Sequence, residues 1–496
     1  MKSTIRFLSL ILIVTMSFSL LCSCKKADDN LENSSNSSST SSREYDISFY
    51  NYKPESEEFF KDICSYYEDQ TGIKVKFIQA SRDKTNIENI RALKKSNEEP
   101  NIFTIQGLSE LKELENDNIV LNFNKANKEN FKEFVNEIPD ELRLSYDNYS
   151  NYGIPYDIEG YGYLVDKKML ADLFELDDVS SILQDLKASS YDEFCSFCLA
   201  INDYIKGDIS SSIVLNGNKY YLAPSKAGLT NNLDEVFATA GLETWTYTSH
   251  MLNIAFCSQF ESEKDLLNTS QIDSLNDIIT KYTKALDFTT SYSTPNRGEN
   301  YLQGAKDYDN VIADFTNSKA LFINQGNWAY NDIKANNEDL AKRTTIIPIK
   351  LPLEESDIRL ADTSLEDFNS SIPIYVPMYY SINSNSTELE LKLAEEFLIW
   401  LNTAEYPKSK MIEDYNMIPS NISTYYQLNN NLNNDILSYK KSGHYLPAAY
   451  LGAPYSWNEA LGNEIKENYL TKNLWGKEDY EIIADFAIYK WKELKK

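Results

Sequence analysis

The sequence predicts an α/β protein built as two or more lobes, and three observations carry that reading. At 496 residues and 57.0 kDa the chain is larger than one compact core can serve. A hydrophobic content of 42% and an aromatic content of 13% belong to a folded chain, not a disordered one. Residues 46–77 then read strand, helix, strand, a βαβ unit whose two strands must run parallel.

Asp46-Ile-Ser-Phe-Tyr50 reads as the first strand. Residues 55–69 carry Phe59, Phe60, Ile63, Tyr66 and Tyr67 at helical spacing, with glutamates in the opening turns where they suit the helix dipole. Gly72 can end that helix in a left-handed conformation. Ile73-Lys-Val-Lys-Phe77 alternates like a half-buried strand. A helical stretch over 87–95 precedes a third strand at 101–105. Helices are predicted at 191–205, 271–286, 391–401 and 458–470 from apolar residues three and four apart. Residues 319–333 read strand, turn, helix; 344–349 and 372–382 read as strand, and the acidic, polar stretch 352–371 as a loop. No fixed-period repeat is present.

Charge and cysteine usage exclude several classes. With 48 Lys+Arg against 75 Asp+Glu, the net charge is −27 and the pI near 4.6, the wrong sign for a nucleic-acid binder. Lys2 and Arg6 precede an apolar run over 7–21, which has signal-peptide length and is short for a membrane span. Leu21-Cys-Ser-Cys24 closes it and resembles a bacterial lipobox with Cys24 as the lipidated residue; ordinary secretory cleavage is the alternative. The Ser/Asn-rich stretch behind it cannot bury a core and suits a tether. Acyl chains on Cys24 would suffice for stable anchoring. Cys64, Cys195, Cys198 and Cys257 remain in a compartment that permits disulfides. Cys195 and Cys198 have redox-motif spacing, but they lie on a buried helical face with no Trp or Pro beside them, which points to inert core thiols. His250 and His444 are the only histidines and neither has ligand spacing, so no metal and no cofactor is expected.

Five segments, in order, resemble the family 1 extracellular solute-binding proteins, the maltose-binding-protein-like receptors of ABC importers. They are Phe60 to Phe77 with Tyr67-Glu-Asp-Gln-Thr-Gly-Ile-Lys-Val75; Glu99-Pro-Asn-Ile-Phe103; residues 152–170, beginning Tyr152-Gly-Ile-Pro-Tyr-Asp-Ile-Glu159; Ala320 to Trp328; and Tyr380-Ser-Ile-Asn383 followed by residues 394–401. The resemblance implies a two-lobed periplasmic-binding-protein-like fold, with discontinuous lobes joined by hinge segments that rotate to close on ligand. It implies a signal peptide at 1–23, a tether at 24–44, a first lobe from 45–155 and 309–375, and a second from 156–308 and 376–496. Crossovers are expected near 153–159, 308–315 and 374–380.

In open α/β sheets ligands sit at the carboxyl ends of strands. Asn51-Tyr52, Gln106-Gly107 and Gly326-Asn327-Trp328 occupy such ends. Sugars are recognised by flat aromatic faces and by planar amide and carboxylate groups. The candidate ligand-binding residues are therefore Gln106, Glu159, Tyr161, Trp328 and Trp457. Glu159 and Trp457 rest on the resemblance, as a hinge-region acceptor for hydroxyls and a stacking Trp. Trp328 and Trp457 could instead be core residues at helix starts, and Glu159 a solvated or salt-bridged side chain. Tyr156 and Tyr163 neighbour the site, Trp245 and Tyr379 are weaker candidates, and Trp400 and Trp491 read as helix packing.

The resemblance implies a monomeric, membrane-anchored lipoprotein on the extracytoplasmic face of a bacterial cell, not an enzyme. It would capture a sugar or oligosaccharide and hand it to ABC permease subunits. An extracellular glycoside hydrolase is the competing class, but no local motif nominates its two carboxylates. A receptor for a non-sugar ligand is another, for instance ferric iron held by the doublets Tyr220-Tyr221 or Tyr379-Tyr380. A sensor that presents ligand to a histidine kinase would use the same closed form.

Overall fold

The computed structural model describes residues 44–495 apart from 82–83, 148 and 209–211. The predicted signal peptide, tether and lipidated Cys24 lie outside these residues. In chain order the strands are β1 (Ile47–Asn51), β2 (Val75–Gln79), β3 (Ile102–Ile105), β4 (Ile154–Pro155) and β5 (Glu159–Asp166). A hairpin, β6 (Ser212–Leu215) and β7 (Asn218–Tyr221), precedes β8 (Glu235–Ala238) and β9 (Ala320–Gly326). The last four are β10 (Thr344–Ile347), β11 (Ile372–Tyr375), β12 (Tyr379–Ile382) and β13 (Tyr445–Leu446).

The first lobe is built on a five-stranded sheet in the order β2-β1-β3-β12-β4. β1 pairs in parallel with both β2 and β3, as the βαβ pattern requires, and β12 runs antiparallel between β3 and β4. Helix α1 (Glu57–Thr71) buries Phe59, Phe60, Ile63 and Tyr67 against this sheet, and Phe49 meets Phe60 edge-on at 4.8 Å. Gly72 ends α1 with φ of 75°, its N–H bonded to the Glu68 carbonyl. Helix α2 (Asn86–Lys95) opens with a Thr85–Glu88 capping box, and α3 (Gly107–Asn116) follows β3 directly.

The second lobe centres on β5, all eight residues of which are buried, the pattern of a strand covered on both faces. β9 lies antiparallel along one edge of β5, while β11 and β10 share the other, and β8 and β13 complete the sheet. The helix Tyr191–Ile205 falls on its predicted residues and packs Phe194 and Phe197 onto Phe322 of β9.

The expected division of the chain between lobes is corrected by the strand pairing. Residues 309–375 belong to the second lobe, because β9 pairs with β5 from Tyr161↔Gly326 to Val165↔Phe322 and β11 pairs with its start. Tyr379–Ile382 pairs with β3 in the first lobe, and the helix Glu388–Thr403 packs Ala394, Phe397 and Leu398 into that lobe's core. The stretch 372–382 is thus two strands in two sheets, joined by a crossover at 376–378. Crossovers at 156–158 and 376–378 agree with expectation, and that at 308–315 does not exist. The chain instead returns near 411–418, where Met411 and Met417 join the first core while Ile412 and Ile418 join the second.

The four described cysteines are free. Burial pushes the Cys195 thiol up to about 11 and that of Cys198 well above its ordinary value, which suits inert packing. The tyrosine doublets do not converge: Tyr220 hydrogen-bonds Asp185 while Tyr221 is exposed, and Tyr379 and Tyr380 enter different cores.

Candidate functional site

Where β4 crosses to β5, the two sheets meet over the loop that follows β1. Asn51, the last residue of β1, donates its side-chain amide to the Lys53 carbonyl (2.6 Å) and to Gln79 Oε1 (3.0 Å), which fixes that loop. The turn Pro54–Ser56 then sends the Lys53 side chain across to the second lobe. Its ammonium pairs with Glu55 at 2.9 Å and with Glu159, the first residue of β5. Asp157 lies between the lobes in the crossover itself, 4% exposed, and its Oδ1 has no partner.

An aromatic wall from the second lobe stands beside these charges. Trp328 follows β9 and is half-buried, its indole N–H donating to Gln325 Oε1 at 2.9 Å. The ring folds back over Gly326, where a Cβ would meet Trp328 Cζ3 at 2.2 Å and the Gly160 carbonyl at 2.5 Å, so only glycine fits. Lys53 Nζ lies 6.0 Å from the centroid of Trp328. The segment Thr246–Met251 winds as a π-helix, a local form common at functional sites, and brings Trp245 and His250 onto Trp328, at 6.3 and 5.2 Å between rings. Tyr161 stacks on His250 at 4.1 Å and meets Tyr375 edge-on, and Tyr375 meets Tyr450 likewise.

The electrostatics follow from dryness. Burial pulls the Lys53 pKa down, but Glu159, Glu55 and Asp157 outweigh that and hold it charged. Burial pushes the Glu159 carboxyl up against the pull of Lys53, and burial with the neighbouring Glu159 charge pushes Asp157 well up. His250 is driven down to about 3 by burial, with Lys53 adding, so its imidazole stays neutral. Among the described residues no group of three or more His, Cys, Asp or Glu could hold a metal ion. The arrangement brings hydrogen-bonding carboxylates, an ammonium and an indole face together where the lobes meet.

A second interlobe contact frames the cleft. Gln106 caps α3, and its backbone N–H donates to Glu110 Oε2 at 2.8 Å. Next to it, Gly107 has φ of +74°, and a Cβ there would meet Glu263 Oε2 at 2.6 Å and Leu451 Cβ at 2.9 Å. Glu263 of the second lobe accepts the Leu108 N–H at the start of α3 (3.0 Å). Burial pushes the carboxyls of Glu110 and Glu263 up to about 7 each.

Of the sequence-predicted residues, Glu159 and Trp328 come together on Lys53. Gln106 is half-buried at the other interlobe contact, joined to the aromatic wall through the turn Ala449–Gly452 that carries Tyr450 and Leu451. Tyr161 is 0% exposed with its hydroxyl donated to the His250 carbonyl, so it backs the wall and does not face the cleft. Trp457 is corrected outright. It is 0% exposed, donates to the Ala487 carbonyl at 2.7 Å and packs edge-on against Trp491, a core residue of the C-terminal helices. Lys53, Asp157, His250, Tyr375 and Tyr450 were missed. Lys53 stands beside Asn51-Tyr52 and Asp157 within the stretch 152–170, both singled out for other residues, whereas nothing in the pattern flags His250.

The family model described as bacterial extracellular solute-binding protein matches residues 62–435. No curated protein matches the sequence. Among solved structures, a chitin oligosaccharide binding protein is similar in fold with a TM-score of 0.61 at 13% identity, over 90% of this chain and 99% of that one. The solute-binding protein RafE in complex with raffinose has a TM-score of 0.58 at 15% identity, over 91% and 99%. The maltose/maltodextrin-binding domain MalE from Bdellovibrio bacteriovorus, bound to maltotriose, has a TM-score of 0.55 at 14% identity, over 90% and 99%. At these identities the likeness is one of fold.

Proposed function

The chain belongs to the bacterial extracellular solute-binding protein family, and from that premise we propose that it is a membrane-anchored lipoprotein that captures a sugar or oligosaccharide between its lobes and delivers it to the permease subunits of an ABC importer. The observation that carries this reading is the meeting of Lys53, Glu159 and Trp328 across the interlobe cleft. An indole face covers the C–H patch of a pyranose, and a carboxylate and an ammonium bind its hydroxyls. The neighbours in fold, which bind raffinose, chitin oligosaccharide and maltotriose, support the same ligand class. Open and closed forms stand in equilibrium, and a ligand touching both lobes draws the closed form, the shape a permease would read.

The apolar run before Cys24 and the polar stretch after it support a lipid anchor on the extracytoplasmic face. No described helix is long and apolar enough to cross a membrane. Replacing Cys24 with Ala should release the chain from the membrane fraction. The functional test is a thermal-shift panel of mono- and oligosaccharides, Fe³⁺ and polyamines. A sugar that raises the midpoint and is recovered intact on chromatography supports a receptor. A sugar that is cleaved would make the protein a hydrolase, and a shift from iron or polyamine alone would discard the carbohydrate assignment.

A further inference from the structure

The cleft floor is short of positive charge. Glu159 and the more exposed Glu55 share the ammonium of Lys53, while Asp157, as buried as Glu159, makes no hydrogen bond through Oδ1. A separate element adds a second unanswered acceptor or donor: His250 on the π-helix is 5% exposed, touches Trp328, senses the Lys53 charge, and has no partner at Nδ1. Burial costs a carboxylate most when neither a cation nor several donors answer it. A sugar hydroxyl answers one lone pair and brings no positive charge.

We infer that the cleft recognises a sugar carrying a protonated amine, with Asp157 as the carboxylate that receives the ammonium group. This rests on the sugar-receptor reading and narrows it. The chain already demonstrates that the site suits an ammonium, since Lys53 Nζ sits among carboxylates at 6.0 Å from the Trp328 centroid. The same carboxylates lack the convergence a metal ion needs.

The charge balance closes. The groups facing Asp157 are Glu159, Glu55 and Lys53, with the hydroxyls of Tyr156 and Tyr380 beside it. Burial and the two neighbouring carboxylates keep its own carboxyl well above the usual range. An arriving ammonium lets that carboxyl ionise: its O–H bond breaks, the proton passes to solvent, and the buried net charge is unchanged.

The test is calorimetric titration of the full chain with the β-1,4-linked glucosamine disaccharide and with its N-acetylated counterpart, in which a neutral acetamido group stands in place of each ammonium. At about pH 6.5 an amine of this kind is charged. The amine form should bind at least about tenfold tighter, a difference of about 1.4 kcal/mol, and Asp157→Asn should abolish the preference. Binding of the amine form should also release a proton, read as an enthalpy that changes with the ionisation heat of the buffer. That comparison on the native chain decides the matter if the variant does not fold, and equal enthalpies would overturn the proposal. Equal or tighter binding of the N-acetylated form, or binding of neutral oligosaccharides alone, overturns the amine inference and leaves the sugar receptor standing. Silence toward every sugar overturns both.

Discussion

Lys53, on the loop after β1 in the first lobe, pairs through its ammonium with Glu159 at the start of β5 in the second. Both side chains are largely buried, so the pair ties the first lobe to the second in this structure. Removing one partner of a buried pair costs about 3–5 kcal/mol, because the other charge is left unanswered. Lys53→Met should place that cost on the closed form. Small-angle scattering should show a larger radius of gyration, and sugar affinity should fall about 100-fold or more. An unchanged scattering curve would separate Lys53 from closure.

Two tryptophans at similar chain settings should respond oppositely. Trp457→Ala empties a core site and should cost about 3–5 kcal/mol of stability. Trp328 is half-buried with its ring toward Lys53, so Trp328→Ala should weaken sugar binding with a smaller loss of melting temperature. Thermal melts beside calorimetric titrations separate the two, and equal losses in both assays would reject the assignment.

Glu395 is 0% exposed and accepts the backbone N–H groups of Asn127 (2.7 Å) and Lys128 (2.8 Å), at the start of the helix Glu129–Asn136. Glu395→Ala removes the acceptor of two part-buried donors, a loss of about 1–3 kcal/mol in all. Denaturant unfolding should register that loss, while ligand affinity stays as it was.

The Glu263 contact gives closure a pH dependence. Burial raises its carboxyl from 4.5 to about 7 against the opposing pull of the Leu108 N–H. A group whose pKa is higher with the lobes together binds more protons in that state. Its contribution is therefore full below about 4.5 and is lost as pH rises through about 7. Sugar affinity should weaken across that window, and Glu263→Gln should flatten the profile. Parallel profiles for the two proteins would assign the dependence elsewhere.

The local elements were legible because their signals are local. Apolar spacing and Gly72 define α1, and the family resemblance at Glu159 and the strand-end position of Trp328 nominate them as candidate site residues. The allotment of strands to lobes was not legible. Tyr379–Ile382 alternates as well for one sheet as for the other, and only its pairing with β3 decides. Lys53 is one of 48 basic residues until Glu159 is set opposite it. His250 escaped because the π-helix that aims it departs from the 3.6-residue period by which helices are read. Trp457 was misplaced by a motif likeness that says nothing of burial.

The central claim is that a sugar binds in the cleft formed by Lys53, Glu159 and Trp328. Calorimetric titration of the strongest sugar from the thermal-shift panel into the native chain and into Trp328→Ala tests it most directly. One site per chain, with affinity lost by about tenfold or more in the variant, is the predicted result. Identical isotherms for the two proteins would place the ligand outside this cleft and contradict the account.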